Sequence, residues 1–152
     1  RMLYFDPSGD KAIVVHAKIF GNPDEAATLD EFIDRSYGYS IFDLATGFAK
    51  LQITPVDPGS FAFAADAPRA YLILDGGDFE GALARAHIIE LDTGVIRERE
   101  LNSPPDAVGI LPEAGVAFVS QRHPLGRVSF IDVATTSMRT VTGFDLNSRI
   151  VD

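Results

Sequence analysis

The stretch Phe42-Asp43-Leu44-Ala45-Thr46-Gly47 recurs as Ile89-Glu90-Leu91-Asp92-Thr93-Gly94 and, more loosely, as Ile131-Asp132-Val133-Ala134-Thr135-Thr136. Asp43 and Glu90 are 47 positions apart, and Glu90 and Asp132 are 42 apart. A second motif keeps step with the first: Phe5-Asp6-Pro7-Ser8-Gly9-Asp10-Lys11-Ala12-Ile13-Val14, then Phe63 to Leu72, then Leu111 to Val119. Two motifs in fixed order, three times over, mark an internal repeat of ~40–45 residues.

Each unit holds four short apolar or alternating runs separated by turn residues, the pattern of strands and not of helices. In the second unit the runs are Ser60 to Ala64, Ala70 to Leu74, Ala86 to Leu91 and Val95 to Leu101. The last is charged through its middle, as a solvated edge strand is; the first is small and apolar, as a crowded inner strand is. Gly47 and Gly94 sit where a tight turn between the third and fourth strands needs a positive φ. Asp6-Pro7-Ser8-Gly9-Asp10 is the corresponding turn between the first and second strands, with Pro7 setting φ and Gly9 free to turn left-handed.

Tandem four-stranded units of this length make an all-β chain whose sheets bury their faces against one another. Ala70-Tyr71-Leu72-Ile73 and Ala117-Phe118-Val119-Ser120, each followed by a hydrophobic-Asp/Glu-Leu/Val-x-Thr motif, resemble the YVTN-type repeats of bacterial β-propellers. No unit carries a literal Tyr-Val-Thr-Asn, and with no tryptophan and no Gly-His start the WD-repeat form fits less well. The resemblance implies about three four-stranded antiparallel blades, at residues 1–56, 57–104 and 105–145, with 146–152 starting a further inner strand. It also implies a periplasmic, cell-surface or secreted location.

Three blades form an open arc, because propellers close with four to eight. The exposed faces need either the remainder of a longer propeller chain or a second copy completing a six-bladed ring. The fragment is favoured, since the chain opens on Arg1 without an initiator methionine and stops inside an expected strand.

Composition narrows the partners. With 22 acidic and 13 basic side chains in 152 residues the formal charge is −9 and the isoelectric point near 4.7. Such a field repels phosphate backbones and anionic headgroups, so nucleic acid is not an expected partner. No apolar run approaches the ~18 residues of a spanning helix, so no membrane insertion is expected. There is no cysteine, hence no disulfide and no thiolate chemistry.

In a propeller, the loops between strands two and three and those between blades share one face, and here they are the long ones, so this loop-rich face is the expected binding site. One of these loops reads as a short helix: Asn22 caps, Pro23 takes the first position, and Leu29, Phe32 and Ile33 recur at helical spacing. Its other side carries Asp24, Glu25, Asp30, Glu31 and Asp34, opposed by Arg35 alone: either a solvated face or an acidic patch for a basic partner. Asp57, Asp106, Arg122 and His123 lie on neighbouring loops of that face. Asp75, Asp78 and Glu80, among glycines on one loop, offer oxygen ligands to calcium but lack EF-hand spacing; no cofactor is otherwise expected. His16, His87 and His123 fall one per unit at non-equivalent positions, so they form no ring of ligands.

No catalytic residue is identified. There is no Gly-x-Ser-x-Gly elbow, and Ser60, after Pro58-Gly59, has no strand-to-helix setting. The expected function is a non-catalytic binding or scaffold module holding a protein or polymer partner. The alternative is part of a lactonase-like or other propeller hydrolase, with a divalent metal at the channel mouth.

Overall fold

The computed structural model describes residues 2–16, 18, 21–74 and 84–143, which fold into three four-stranded antiparallel sheets. The first contains β1 (Met2–Phe5), β2 (Lys11–His16), β3 (Tyr37–Asp43) and β4 (Ala49–Thr54). The second contains β5 (Pro58–Phe63), β6 (Arg69–Leu74), β7 (Arg85–Glu90) and β8 (Ile96–Glu100). The third contains β9 (Pro105–Leu111), β10 (Val116–Gln121), β11 (Arg127–Asp132) and β12 (Met138–Thr142). Every strand pairs with its neighbour in the chain, so each sheet is a simple meander.

The repeat is reproduced bond by bond. The amide of Asp43 donates to the carbonyl of Phe48, that of Glu90 to Val95 and that of Asp132 to Ser137, at 2.8–2.9 Å. Gly47, Gly94 and Thr136 donate back to Asp43, Glu90 and Asp132, and all three have left-handed backbones, with φ of 73°, 65° and 60°. Thr136 thus occupies a conformation that glycine adopts freely and a β-branched residue resists. The second motif is tied to the first in each unit, since Leu44, Leu91 and Val133 donate to Asp10, Pro68 and Gly115.

Two apolar cores lie between the sheets. Ile13, Tyr39 and Ile41 of the first sheet pack with Ala70, Leu72, Leu74 and Ile89 of the second. Tyr71, Ile73, Ala86 and Ile88, on the second sheet's opposite face, pack with Ala117, Val119 and Ile131 of the third. Successive residues of β6 therefore enter different cores, which is why that strand is apolar without alternation. Burying each of its large side chains contributes about 1.5–3 kcal/mol. β8 is exposed or half-exposed throughout, matching its charged sequence.

Two expectations change. The single helix beginning at Asn22 is two pieces, a 3₁₀ turn at Pro23–Glu25 and α1 (Leu29–Asp34). Asn22 caps the first through the amide of Asp24, but Ala26 is extended and ends it. Thr28 caps the second through the amide of Glu31, whose carboxylate reaches back to the amide of Ala27. Leu29 is 67% exposed, so the apolar side narrows to Phe32 and Ile33, both half-buried. Asp106, expected in a loop, is the second residue of β9, because pairing with β10 begins at Pro105. Asp75, Asp78, Glu80 and residues 146–152 lie outside the described residues.

Candidate functional site

The loop-bearing face carries its acidic residues on the insertion between β2 and β3. Asp24, Glu25 and Asp30 are exposed, while Glu31 and Asp34 are half-buried. Arg35 gathers part of the group, with Nη1 3.6 Å from Glu25 and Nη2 3.9 Å from Glu31. It also donates to the carbonyl of Asn22, binding the 3₁₀ turn to α1. Ser36 is buried and donates to Phe32, anchoring the end of the insertion at the start of β3. Asp57 is exposed on the connection to the second sheet, apart from this group in sequence. Arg122 and Asp106 flank one connection: the amide of Arg122 donates to Pro104, and Asp106 follows two residues later. Arg127 fastens the same connection by donating to the carbonyl of Asn102 and to Ser103. His123 accepts from the amide of Leu125 within its own turn.

Among the described residues, two clefts lie on the opposite, tight-turn face, in the grooves between sheets. One of about 350 Å³ is lined by Asp6, Asp10, Lys11, Asp66 and Asp92, together with small residues of the β5–β6 turn. The other, about 400 Å³, lies beyond that turn and is lined by Asp66, Arg69, Ile110, Pro112 and Asp132 among others. The cations in them are paired: Lys11 lies 2.8 Å from Asp43 and 3.8 Å from Asp92 of the next sheet, and Arg69 lies 2.7 Å from Glu90. The hydrogen bond from Lys11, with the amide of Thr46, holds the Asp43 carboxyl down at about 2, and the pairing raises Lys11. In the third sheet Val116 replaces the cation opposite Asp132, whose carboxylate is kept ionised by Thr135 instead. The strand–turn motif carried the signal for these residues, but the convergence of Asp92 on Lys11 depends on how two sheets stack.

Among solved structures, TolB from Acinetobacter baumannii matches 94% of this chain at 13% identity with a TM-score of 0.55. The β-propeller domain of the trilobed protease from Pyrococcus furiosus, described as having an open velcro topology, matches 91% at 10% identity with a TM-score of 0.56. The fold is an open β-propeller. The chain spans 33% and 41% of those two chains, respectively. No family model matches, and no curated protein does.

Within the propeller, the histidines occupy three separate settings. His16 is buried at the end of β2, its Nε2 2.7 Å from Ser40 Oγ. His87 is buried between the first and second blades, where its Nδ1 lies 2.9 Å from the Tyr39 hydroxyl. Its Nε2 has no hydrogen-bond partner and stands 3.5 Å from Glu98. Burial pushes His87 below the usual imidazole value against the pull of Glu98, and burial raises the Tyr39 hydroxyl. Ser129 fills the corresponding place in the third blade, bonded to Gln121 and Thr140. Buried polar contacts that periodicity alone does not reveal thus tie strands within the first and third blades and, through Tyr39 and His87, the first blade to the second. Among the described residues, no three His, Asp or Glu side chains converge as metal ligands.

Proposed function

We propose that the arc is a non-catalytic binding or scaffold module that holds a basic protein or polymer segment on its loop-bearing face. One observation carries this: the insertion between β2 and β3 presents exposed Asp24, Glu25 and Asp30 on a segment made rigid by two helix caps and the Arg35 bridge. Carboxylates clustered on one short segment attract a cationic partner, and the net charge of −9 steers such a partner inward. The resemblance of the repeats to YVTN-type propellers supports a role in the periplasm, at the cell surface or outside the cell.

Binding of a fluorescent lysine-rich peptide, followed by anisotropy at low and high salt, tests the assignment. The chain is expected to bind it, with affinity falling as salt rises. Replacing Asp24→Asn, Glu25→Gln and Asp30→Asn together should weaken binding about tenfold, mostly through slower association. Unchanged affinity in the triple variant, or no binding by the parent chain, would move the site off this face.

A further inference from the structure

The two grooves of the tight-turn face are equivalent by repeat, and one residue separates them. By strand register Lys11 stands opposite Asp43, and Arg69 opposite Glu90. Each cation lines its groove and is paired within its own blade, and the two side chains are 15% and 14% exposed. In the first groove the second blade adds a further carboxylate, since Asp92 lies 3.8 Å from Lys11 Nζ. Asp92 follows Glu90 by two places, and the third-blade residue that so follows Asp132 is Ala134, which lines the second groove and carries no charge.

Arg69 is left with donors unmet. Its Nη2 donates to Glu90 Oε2 at 2.9 Å and lies 2.7 Å from Oε1. Its Nε is buried and has no hydrogen-bond partner among the described residues. Tyr71, two residues further along β6 and on the same face, is fully buried, and its hydroxyl has no partner either. Burial raises that hydroxyl against the pull of the Arg69 charge, which places it within the field of the guanidinium. A guanidinium carries five N–H donors in a planar fork that matches a carboxylate. Around this fork the groove, about 400 Å³, is walled by Ala64, Ala67, Ile110, Pro112 and Ala114, which leaves room for a short hydrocarbon chain.

We propose that the groove between the second and third blades binds an aliphatic carboxylate, with Arg69 holding it as Lys11 holds Asp92. The first groove supplies the precedent: a cation already paired in its own blade takes a second carboxylate from across the groove, in a chain of net charge −9. The lining sets the class of ligand. Exposed Asp66 and half-buried Asp132 also line the groove and disfavour a doubly charged group such as phosphate, while the small apolar walls suit a hydrocarbon tail. The carboxylate belongs either to a free short-chain acid or to the C-terminus of a peptide. This groove lies on the face opposite the acidic insertion, and the inference stands independently of the basic-partner reading.

Hexanoate and the tripeptide acetyl-Ala-Ala-Ala with a free C-terminus, each titrated into nitrogen-15-labelled chain, are the probes. Saturable NMR shifts of the Arg69 Nε–H and of the Ala114 and Ala134 amides are expected. Tighter binding of the peptide would name a chain terminus as the source of the carboxylate, and tighter binding of hexanoate a free acid. Hexanamide and the C-terminally amidated peptide should bind about tenfold more weakly, because each lacks the charge that strengthens the bond to Arg69. Ala134→Asp gives Arg69 the carboxylate that Asp92 gives Lys11, and should also weaken binding about tenfold while the strand signal in circular dichroism is kept. Asp92→Ala should open the first groove and add shifts at Lys11 to those at Arg69. Absence of saturable binding by either acid, equal binding of acids and amides, or a folded Ala134→Asp variant that binds as the parent does would each overturn the proposal. The comparison of acid with amide on the parent chain decides the question even where a variant fails to fold.

Discussion

The second blade and its neighbours are written in the same repeat, yet they meet different surroundings. In β6 five consecutive residues, Ala70 to Leu74, are buried, because both faces of that blade are covered. In β10 burial alternates strictly: Ala117, Val119 and Gln121 are buried, while Val116, Phe118 and Ser120 are only half-covered. The same strand position is therefore core in one blade and boundary in another. The difference teaches that blade stability belongs to the junctions and not to the sheets, as in other stacked-repeat architectures.

The strongest way to break the comparison is to truncate equivalent side chains. Tyr71→Ala in the middle blade should cost about 4 kcal/mol and its counterpart Phe118→Ala about 1 kcal/mol in the monomer, because only the first leaves a sealed cavity. Urea unfolding midpoints of the two variants would show it, and equal costs would mean that the outer face is covered.

Next in size is the buried polar pair at the first junction. Tyr39→Phe should destabilise by about 1–2 kcal/mol, since His87 Nδ1 is then left without a partner in a dry site. The histidine also sets a pH dependence. Its folded value lies below the ordinary imidazole value of 6.5, so the unfolded chain binds the extra proton first. Stability is thus complete above pH 6.5 and is lost as pH falls through the folded value. Thermal melts from pH 8 to 5 should show this decline, and His87→Gln should flatten it.

A carboxylate at the same junction acts at lower pH. With Asp43 at about 2 against 3.8, its contribution is present above pH 3.8 and is lost as pH falls toward 2. Acid titration of Asp43→Asn should lack that last phase.

The smallest expected change sharpens the contrast between repeats. Thr136→Gly should stabilise the third blade by up to about 1 kcal/mol by relieving a left-handed β-branched residue. Gly94→Ala should do the reverse in the second, where the added carbon would also lie 3.1 Å from Lys50 Cδ. Differential scanning calorimetry resolves both.

The Phe42–Gly47 repeat made the blades legible, and the expected strands of the second unit lie within two residues of those found. The loop-rich face was legible for the same reason, since strand order assigns loops to faces. Details that depend on stacking were not. His87 reads as an ordinary polar residue until Tyr39, 48 positions away, is brought against it. The grooves of the tight-turn face arise from side chains of two blades and leave no periodic trace. The split helix was readable in principle, because Thr28-x-x-Glu31 is a capping signature of its own.

The insertion between β2 and β3 also bears on how the chain folds. Every strand pairs with its neighbour in the chain across mostly short connections, so strands can zip in sequence. The exception is the closure of β2 on β3, which spans residues 17–36, whereas β10 and β11 are joined by only 122–126. The longer closure costs about 1 kcal/mol more in chain entropy before any pairing compensates for it. The outer half of the first blade is thereby set to assemble last and, in native-state hydrogen exchange, to open first.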